Sequence, residues 1–278
     1  MNDYDLIRYS RHILLPEIEY DGQEKICNGH VMIIGAGGLG SPASIYLAAS
    51  GVGKITICDF DQVELSNLQR QILHSDEVIG LNKASSAEKT LKKINSQIQI
   101  QKIEKKLTID EARKMVVDVD VILDCSDNFE TRYALNKIAF EKKIPLVSGA
   151  AIKFDGQLCV FNFKHNESPC YHCLFPDSSS NEELRCSDHG VISPLVGIIG
   201  SMQALEALKI LIHMKSDIGK LLVFDAKNLE WNSIKFNKDP SLHPISNTVL
   251  FFKFLSIFFT ELTNSAIPFF TSSVNLAL

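Results

Sequence analysis

The 278-residue chain carries a net charge of −5 at neutral pH, and 45% of its residues are apolar. This length allows one large domain or two small ones, and the acidic balance argues against a nucleic-acid groove. The polar opening, Met1–Arg8, is not a signal peptide, and the seven scattered cysteines do not suggest a secreted disulfide framework, so we expect a cytoplasmic protein.

From His30 onward, strand-like and helix-like segments alternate. Four apolar runs, HVMIIG, KITICDFD, VDVDVILDCSDN and IPLVSGA, are typical of buried parallel strands. Between the second and third runs, Ala84, Ala87, Leu91 and Ile94 recur at helical spacing. Strands separated by helices predict an α/β fold, a Rossmann-like doubly wound sheet with mostly parallel strands.

After about residue 150 the pattern changes. GQLCVFNF predicts an antiparallel strand, a polar loop follows, a long helix is expected roughly over residues 194–214, and KLLVFDA and WNSIKF predict two more strands. We therefore expect a domain over residues 1–240, with a nucleotide-binding half to about residue 150 and a second half over residues 151–240.

The segment 241–278 forms an atypical tail. Its last thirty residues hold seven of the sixteen phenylalanines and only two charges, Lys253 and Glu261. Because Lys253, Glu261 and Asn264 interrupt the apolar run, we expect an appended packing or disordered segment rather than a membrane span.

A glycine loop follows the first strand. IIGAGGLGS contains G-x-G-x-x-G at Gly35, Gly37 and Gly40, directly before a helix. A glycine backbone and a helix N-terminus can bind a phosphate through their N–H groups. Asp59, at the end of the next strand, can accept hydrogen bonds from ribose hydroxyls. Taken alone, this motif predicts an NAD-dependent oxidoreductase.

The residues that follow Asp59 favour a triphosphate instead. SNLQRQ supplies Arg70, the next helix begins with Lys83, and Arg11 lies upstream in RYSRHILL; together these cations can offset triphosphate charge. Asp127, in DCSDN at a third strand end, is placed to hold Mg²⁺. An oxidoreductase has no use for Arg11, Lys83 or Asp127.

These motifs, with PLVSGAA and SPLVGIIGSMQALEALK, resemble the ThiF/MoeB family over about residues 3–240. The family comprises bacterial adenylyltransferases, related to ubiquitin-activating enzymes, that activate small ubiquitin-like sulfur-carrier proteins. The resemblance implies ATP as the nucleotide, Mg²⁺ on Asp127, and a nucleotide site built from Gly35, Gly37, Gly38, Gly40, Asp59, Asp61, Ser66, Asn67, Leu68, Gln69, Arg70, Lys83, Asp127 and Asn128.

The resemblance also implies partners. The residue that matches Arg11 reaches the triphosphate from the neighbouring subunit, which implies a homodimer. Cys186, in RCSDHGVISP, resembles the loop cysteine that bonds to the activated carrier in the thiamine branch. A sulfur donor such as a cysteine desulfurase would then act with it, and Arg185, the residue before Cys186, favours the thiolate.

The CYHC motif places Cys170 and Cys173 at the spacing of a zinc half-site. In the family a second C-x-x-C near the C-terminus completes that site, but residues 239–246 contain no cysteine. His172 and His243 are possible substitute ligands. The sequence therefore leaves open both bound zinc and a reduced pair that packs like small apolar side chains.

The ATP site is common to the thiamine and molybdopterin branches of the family. MNDYDLIRYSRHILL, CYHCLFPD and FDAKNLEWNS resemble the thiamine branch of the family more than the molybdopterin branch. The resemblance implies adenylation of the thiamine sulfur carrier followed by sulfur transfer. The runner-up substrate is the small subunit of molybdopterin synthase. A non-catalytic carrier-binding protein is a further alternative.

Overall fold

An eight-stranded mixed sheet organises the part of the chain that the computed structural model describes, residues 1–176 and 190–239. Its strand order is β3-β2-β1-β4-β5-β6-β7-β8. The strands are β1 His30–Ile34, β2 Lys54–Cys58, β3 Gln99–Ile103, β4 Val121–Asp124, β5 Leu146–Ile152, β6 Asp155–Phe161, β7 Lys220–Asp225 and β8 Glu230–Lys235. Strands β1–β5 pair in parallel and β5–β8 pair antiparallel.

Helices connect the parallel strands and cover both faces of the sheet. In the described residues they are α1 Asp3–Arg8, α2 Ser10–Ile13, α3 Glu19–Asn28, α4 Gly40–Ala49, α5 Lys83–Ile94, α6 Ile109–Met115, α7 Phe129–Lys142, α8 Tyr171–Leu174 and α9 Ser193–Leu211. Val31 and Ile33 of β1 point into one core, which α4, α5 and α9 share, whereas Met32 points into the other, shared with α6, α7 and α8. The predicted doubly wound sheet with antiparallel strands is confirmed.

Helix α9 closes one face of the sheet. It packs on α4 and on strands β5 and β6. A Cβ at Gly200 would lie 2.3 Å from the backbone oxygen of Leu39, so only glycine allows this close approach to α4. Among the described helices, α9 is long and apolar enough to cross a membrane by length and composition alone. Half of its most apolar stretch of 18 residues is buried inside the domain, however, as in the core helix of a globular domain.

The N-terminal helices are fixed to the domain through Tyr9, at the junction of α1 and α2. Its ring is 5% exposed and lies over Gly51, where an added Cβ would come within 2.4 Å of the ring. Asn95 donates a hydrogen bond of 2.9 Å from Nδ2 to the Tyr9 hydroxyl. Position 51 also has a φ of +84°, so glycine is required there for two reasons.

Strand β3 was not predicted. Its sequence, QIQKI, holds only two apolar residues, Ile100 and Ile103, both buried, and the strand pairs only with β2 at the edge of the sheet. The described elements all belong to one compact unit, Met1–Ile245. The predicted tail, residues 241–278, lies outside the described residues.

Candidate functional site

The glycine loop joins β1 to α4, and two of its glycines are required by the backbone. Gly35 has a φ of +99°, and a Cβ there would lie 2.6 Å from the carbonyl oxygen of Cys125. A Cβ at Gly40 would lie 1.9 Å from the carbonyl oxygen of Gly35. Neither position can carry a side chain without displacing backbone, so these two glycines are explained by folding alone.

Gly37 is different. Its φ is not in the left-handed region, and the nearest atom to an added Cβ would be Nε2 of Gln71, at 3.6 Å, an ordinary contact distance. Within the described chain its N–H makes no hydrogen bond. Nothing in the fold requires glycine here, whereas a ligand that approaches the backbone does. At Gly38 a Cβ would meet Val196 of α9 at 3.2 Å.

Asp59 directly follows β2 and supports the glycine loop. Its Oδ2 accepts a hydrogen bond of 2.7 Å from the N–H of Ala36, and its Oδ1 accepts one of 2.9 Å from the N–H of Asp61. Burial raises the pKa of Asp59, while the Ala36 N–H and the nearby Lys83 act in the opposite direction. The structure therefore places Asp59, the predicted ribose ligand, directly beside the glycine loop.

Lys83 is the first residue of α5 and is aimed by the cap of that helix. Asn82 accepts hydrogen bonds from the N–H groups of Ala84 and Ser85, and its Nδ2 donates to the carbonyl of Asp59. The Lys83 side chain is only 9% exposed and its Nζ lies 3.0 Å from Oδ2 of Asp61, which is half exposed. A mostly buried ammonium with a solvated partner can exchange that partner for another anion at little cost.

In the run SNLQR, residues 66–70, some side chains hold the local fold and others are accessible to a ligand. Asn67 is buried, and its Oδ1 accepts from the N–H of Glu64 at the start of a 3₁₀ turn. Leu68 is half-buried, while Ser66 and Gln69 are exposed. Arg70, also half-buried, donates from Nη1 to the carbonyl of Ser66 at 3.0 Å. The polar groups that a ligand can reach here are Ser66, Gln69 and Arg70.

Two residues just beyond this run, Gln71 and His74, lie beside the glycine loop and were not predicted. Gln71 is 5% exposed, and its Oε1 has no hydrogen-bond partner among the described residues. His74 is 8% exposed, and burial lowers its pKa. Nothing in LQRQILH marks either residue, because a glutamine and a histidine in a loop are ordinary surface residues.

The end of β4 carries the predicted metal ligand. Asp127 is exposed, and its Oδ1 lies 3.4 Å from Nδ2 of Asn128. Asn128 caps α7, since its Oδ1 accepts a hydrogen bond of 2.9 Å from the N–H of Thr131. The cap accounts structurally for asparagine at 128, and it leaves the carboxylate of Asp127 at the open edge of the sheet.

A buried network fixes the turn that presents Asp127. Asp124 is fully buried, and its carboxylate accepts from the hydroxyls of Ser126 at 2.6 Å and Ser148 at 2.8 Å. Arg132 donates from Nη2 to the carbonyls of Ser126 and Gly149, at 2.8 and 3.1 Å. One signal for this network is visible in the sequence, an aspartate that ends the otherwise apolar strand VILD, and our prediction did not use it.

The ligand edge of the sheet, which we define as the carboxyl ends of β1, β2 and β4, thus brings together the glycine loop, Asp59, Lys83 and Asp127. Arg11 does not lie at the ligand edge of its own chain. It lies exposed on α2 and forms no hydrogen bond or ion pair with the other predicted site residues in the described ranges. Cys186 lies outside the described residues.

The cysteine pair lies under the antiparallel half of the sheet. The Sγ atoms of Cys170 and Cys173 are 3.5 Å apart, and Sγ of Cys173 also accepts from the N–H groups of Cys170 and Asp239. These contacts lower the pKa of Cys173. Nδ1 of His172 is hydrogen-bonded with Nδ2 of Asn136 at 3.1 Å.

These contacts bear on the predicted zinc site. In residues 1–176 and 190–239 no group of three or more histidine, cysteine or acidic side chains is placed to hold a metal ion. The described residues therefore supply two thiols of a tetrahedral site, which is too few. His243, the other predicted substitute ligand, lies outside the described residues.

Comparison with known proteins places this site in context. Residues 9–244 match the ThiF family. The molybdopterin-synthase adenylyltransferase of Escherichia coli (strain K12) is 44% identical over 241 residues, 86% of this chain and 96% of that protein. The sulfur carrier protein ThiS adenylyltransferase of the same organism is 42% identical over 238 residues, 86% of this chain and 94% of that protein.

Another relative is a longer protein. The adenylyltransferase and sulfurtransferase MOCS3 of Culex quinquefasciatus is 44% identical over 237 residues, 84% of this chain but only 54% of that protein. This chain thus spans about half the length of that relative. The crystal structure of E. coli MccB with ATP has a TM-score of 0.74 and 22% identity, covering 86% of this chain and 73% of that one, which supports the fold.

The fold and the ligand edge define a class, the nucleotide-binding α/β domains in which a glycine loop and an acidic residue follow neighbouring parallel strands. Within that class the chain belongs to the ThiF family, which covers most of its length. The family resemblance is confirmed, and so is the predicted enzyme class, since the named relatives are adenylyltransferases.

Proposed function

We propose that this protein uses ATP to adenylate the C-terminal carboxylate of a ubiquitin-like sulfur-carrier protein, releasing pyrophosphate. The observation that carries the proposal is the ligand edge, where a bare glycine backbone, a buried lysine and an exposed aspartate follow three neighbouring strands. The names of the relatives support the same activity. These names favour adenylyl transfer over the alternative, an NAD-dependent oxidoreductase.

The chemistry requires positioning rather than a protein nucleophile. The carrier carboxylate attacks the α-phosphate of ATP, a bond forms between its oxygen and that phosphorus, and pyrophosphate leaves. The protein has to hold the reacting groups in line and offset negative charge as it develops. The residues at the ligand edge are of the types that these two tasks need.

Each part of the edge has a task in this proposal. The free N–H of Gly37 and the N-terminus of α4 receive phosphate oxygens. Lys83 and Arg70 supply positive charge, with Lys83 exchanging Asp61 for phosphate. The carboxylate of Asp59 accepts hydrogen bonds from ribose hydroxyls with the lone pairs that Ala36 and Asp61 leave open.

Asp127 fits a magnesium ligand. It is an exposed carboxylate at the end of a central strand, held by a capped helix and by the buried Asp124 network. Bound there, Mg²⁺ would neutralise charge on the phosphate oxygens. One protein carboxylate suffices, because Mg²⁺ commonly takes its other ligands from phosphate and water.

We also propose that two copies of the chain form the working enzyme. The N-terminal helices expose large apolar side chains, with Ile7 77% and Leu14 70% exposed, on either side of Arg11. Apolar groups of this size on both sides of an arginine support a subunit interface that carries Arg11 to the ATP site of the neighbouring chain.

The carrier is the finer part of the proposal. MNDYDLIRYSRHILL, CYHCLFPD and FDAKNLEWNS support the thiamine sulfur carrier, with the small subunit of molybdopterin synthase as the alternative. Relatives of both kinds have nearly equal identity to this chain. In the thiamine branch Cys186 would then bond to the activated carrier, with a sulfur donor such as a cysteine desulfurase.

Exchange of labelled pyrophosphate into ATP tests the proposal. We expect exchange that depends on Mg²⁺ and on the thiamine carrier, and at least about tenfold slower exchange with the molybdopterin carrier at equal concentration. A carrier truncated by its last residue is the control for each. Faster exchange with the molybdopterin carrier would reverse the branch assignment, and no exchange with either would overturn the function.

A further inference from the structure

His74 is a buried histidine whose two ring nitrogens both have partners. Its Nε2 lies 2.9 Å from the carbonyl oxygen of Ala36, and its Nδ1 lies 2.8 Å from Oγ of Ser86. A carbonyl oxygen can only accept, so Nε2 carries the proton and Nδ1 accepts from the Ser86 hydroxyl. The partners thus fix one neutral tautomer of the ring.

The bond to Ala36 orients the glycine loop. Ala36 lies between Gly35 and Gly37, and the described chain contains no cis peptide. In a planar trans peptide the carbonyl of one residue and the N–H of the next point in opposite directions. Because His74 holds the Ala36 carbonyl, the N–H of Gly37 is turned away from His74, and it makes no hydrogen bond within the described chain.

The bond to Ser86 connects the same ring to α5. Ser86 lies three residues after Lys83, so the two side chains are on neighbouring positions of one helix face. Thr90, a further turn along α5, donates from Oγ1 to the carbonyl of Leu73 at 2.9 Å. Leu73 and His74 therefore fasten the loop that follows Arg70 to the helix that begins with Lys83.

We propose that His74 is a positioning residue for the nucleotide. Its imidazole fixes the orientation of the peptide that presents the Gly37 N–H, and it holds the glycine loop in a fixed position relative to the helix that bears Lys83. The proposal rests on the proposed ATP site. It assigns no contact between His74 and ATP, since the ring acts through Ala36 and Ser86.

His30 provides a matched control. It is also buried, at 6% exposure, and its ring nitrogens are also both used, by the carbonyl of Asp118 at 2.7 Å and by Oγ1 of Thr56 at 2.8 Å. It begins β1, however, at the end of the strand opposite to the ligand edge. Loss of either ring removes two hydrogen bonds, but only His74 is linked to the glycine loop.

The experiment measures carrier-dependent pyrophosphate exchange and thermal unfolding for His74→Ala, His74→Gln and His30→Ala. We expect both alanine variants to unfold at lower temperature, while His74→Ala alone raises the KM for ATP, by about tenfold, with a smaller change in kcat. The carboxamide of His74→Gln can donate to Ala36 and accept from Ser86, so it should restore most of the affinity. A KM for ATP that His74→Ala leaves unchanged would overturn the proposal.

Two further comparisons keep the test decisive. If His74→Ala does not fold, Ser86→Ala is compared with Ser85→Ala, whose hydroxyl instead contacts Lys102 and Glu104. Only Ser86→Ala should weaken ATP binding, measured by calorimetry without carrier, and equal binding by both variants would refute the coupling. If the wild-type protein neither binds ATP nor exchanges pyrophosphate, the proposed function itself is refuted. If only the expected effects of the His74 and Ser86 substitutions are missing, the positioning role of His74 is refuted and the proposed function stands.

Discussion

The parallel and antiparallel halves of the sheet differ in how completely their motifs form a site. At the ligand edge of the parallel half, the glycine loop, Asp59 and Asp127 follow β1 and the two strands that pair with it, so the sheet topology brings them together. Lys83 joins them because Asn82, which caps α5, donates a hydrogen bond to the carbonyl of Asp59. Beneath the antiparallel half, Cys170 and Cys173 keep the zinc-site spacing, but no third ligand joins them in the described ranges. A motif predicts chemistry only when the fold supplies the remaining partners.

The strongest test of the parallel half concerns its dependence on a second chain. Arg11→Ala and Asp127→Ala should each abolish pyrophosphate exchange, because each removes charge from every ATP site. If Arg11 acts in the neighbouring subunit, random mixing of the two variants creates heterodimers with one intact site, and about a quarter of wild-type activity should return. No recovery, under conditions that demonstrably exchange subunits, would show that Arg11 does not act across the interface.

Within the glycine loop, two substitutions separate folding from binding. Gly35→Ala should lower the free energy of unfolding by more than about 2 kcal/mol, because the new Cβ meets the Cys125 carbonyl at a left-handed φ. Gly37→Ala should change it by less than about 1 kcal/mol, since its Cβ has room, yet weaken ATP binding.

Denaturant titration and calorimetry with ATP measure the two effects on the same samples. A Gly37→Ala protein that binds ATP as tightly as wild type would mean that no ligand approaches the backbone at this position. The nucleotide would then have to lie elsewhere along the ligand edge.

In the antiparallel half we expect smaller effects on adenylation. Cys170→Ser places a hydroxyl among apolar side chains and should destabilise the protein by about 1–3 kcal/mol. A separate prediction concerns Cys186, which lies outside the described residues. Cys186→Ser should leave pyrophosphate exchange near wild type but abolish the disulfide-linked carrier adduct.

Non-reducing electrophoresis with carrier, ATP and a sulfur donor detects that adduct. Its persistence in Cys186→Ser would assign the sulfur chemistry to another thiol. Equal stability of Cys170→Ser and wild type would mean that the cysteine pair contributes nothing to packing.

The sequence was sufficient for the parts of this protein that depend on regular patterns. Apolar runs and helical spacing predicted seven of the strands and the long helix. Six of those strands lie inside the sheet and contain no exposed residue, so burial constrains their sequence along the whole strand. Of the two edge strands, β8 was predicted, whereas Gln99–Ile103 was missed because QIQKI holds only two apolar residues and so gives no clear strand pattern. The long helix ends at Leu211 rather than near residue 214.

The supporting residues of the site could not be predicted in the same way. His74 and Arg132 act through hydrogen bonds with segments distant in sequence, and each is an ordinary residue for its local context. The glycines of the loop are a different case, because the sequence predicted them but not the reason for each one. Their spacing predicted the loop, but only the structure separates Gly35, which folding requires, from Gly37, which it does not.

Direct observation of the product tests the central claim, that the ligand edge adenylates a carrier. Intact mass spectrometry of the thiamine carrier, after incubation with this protein, ATP and Mg²⁺ but no sulfur donor, should show a carrier species heavier by one adenylyl group. Asp127→Ala should give none, while Asp110→Ala, an exposed aspartate on α6, should match wild type. A carrier of unchanged mass with wild-type protein, while ATP is bound, would contradict the account.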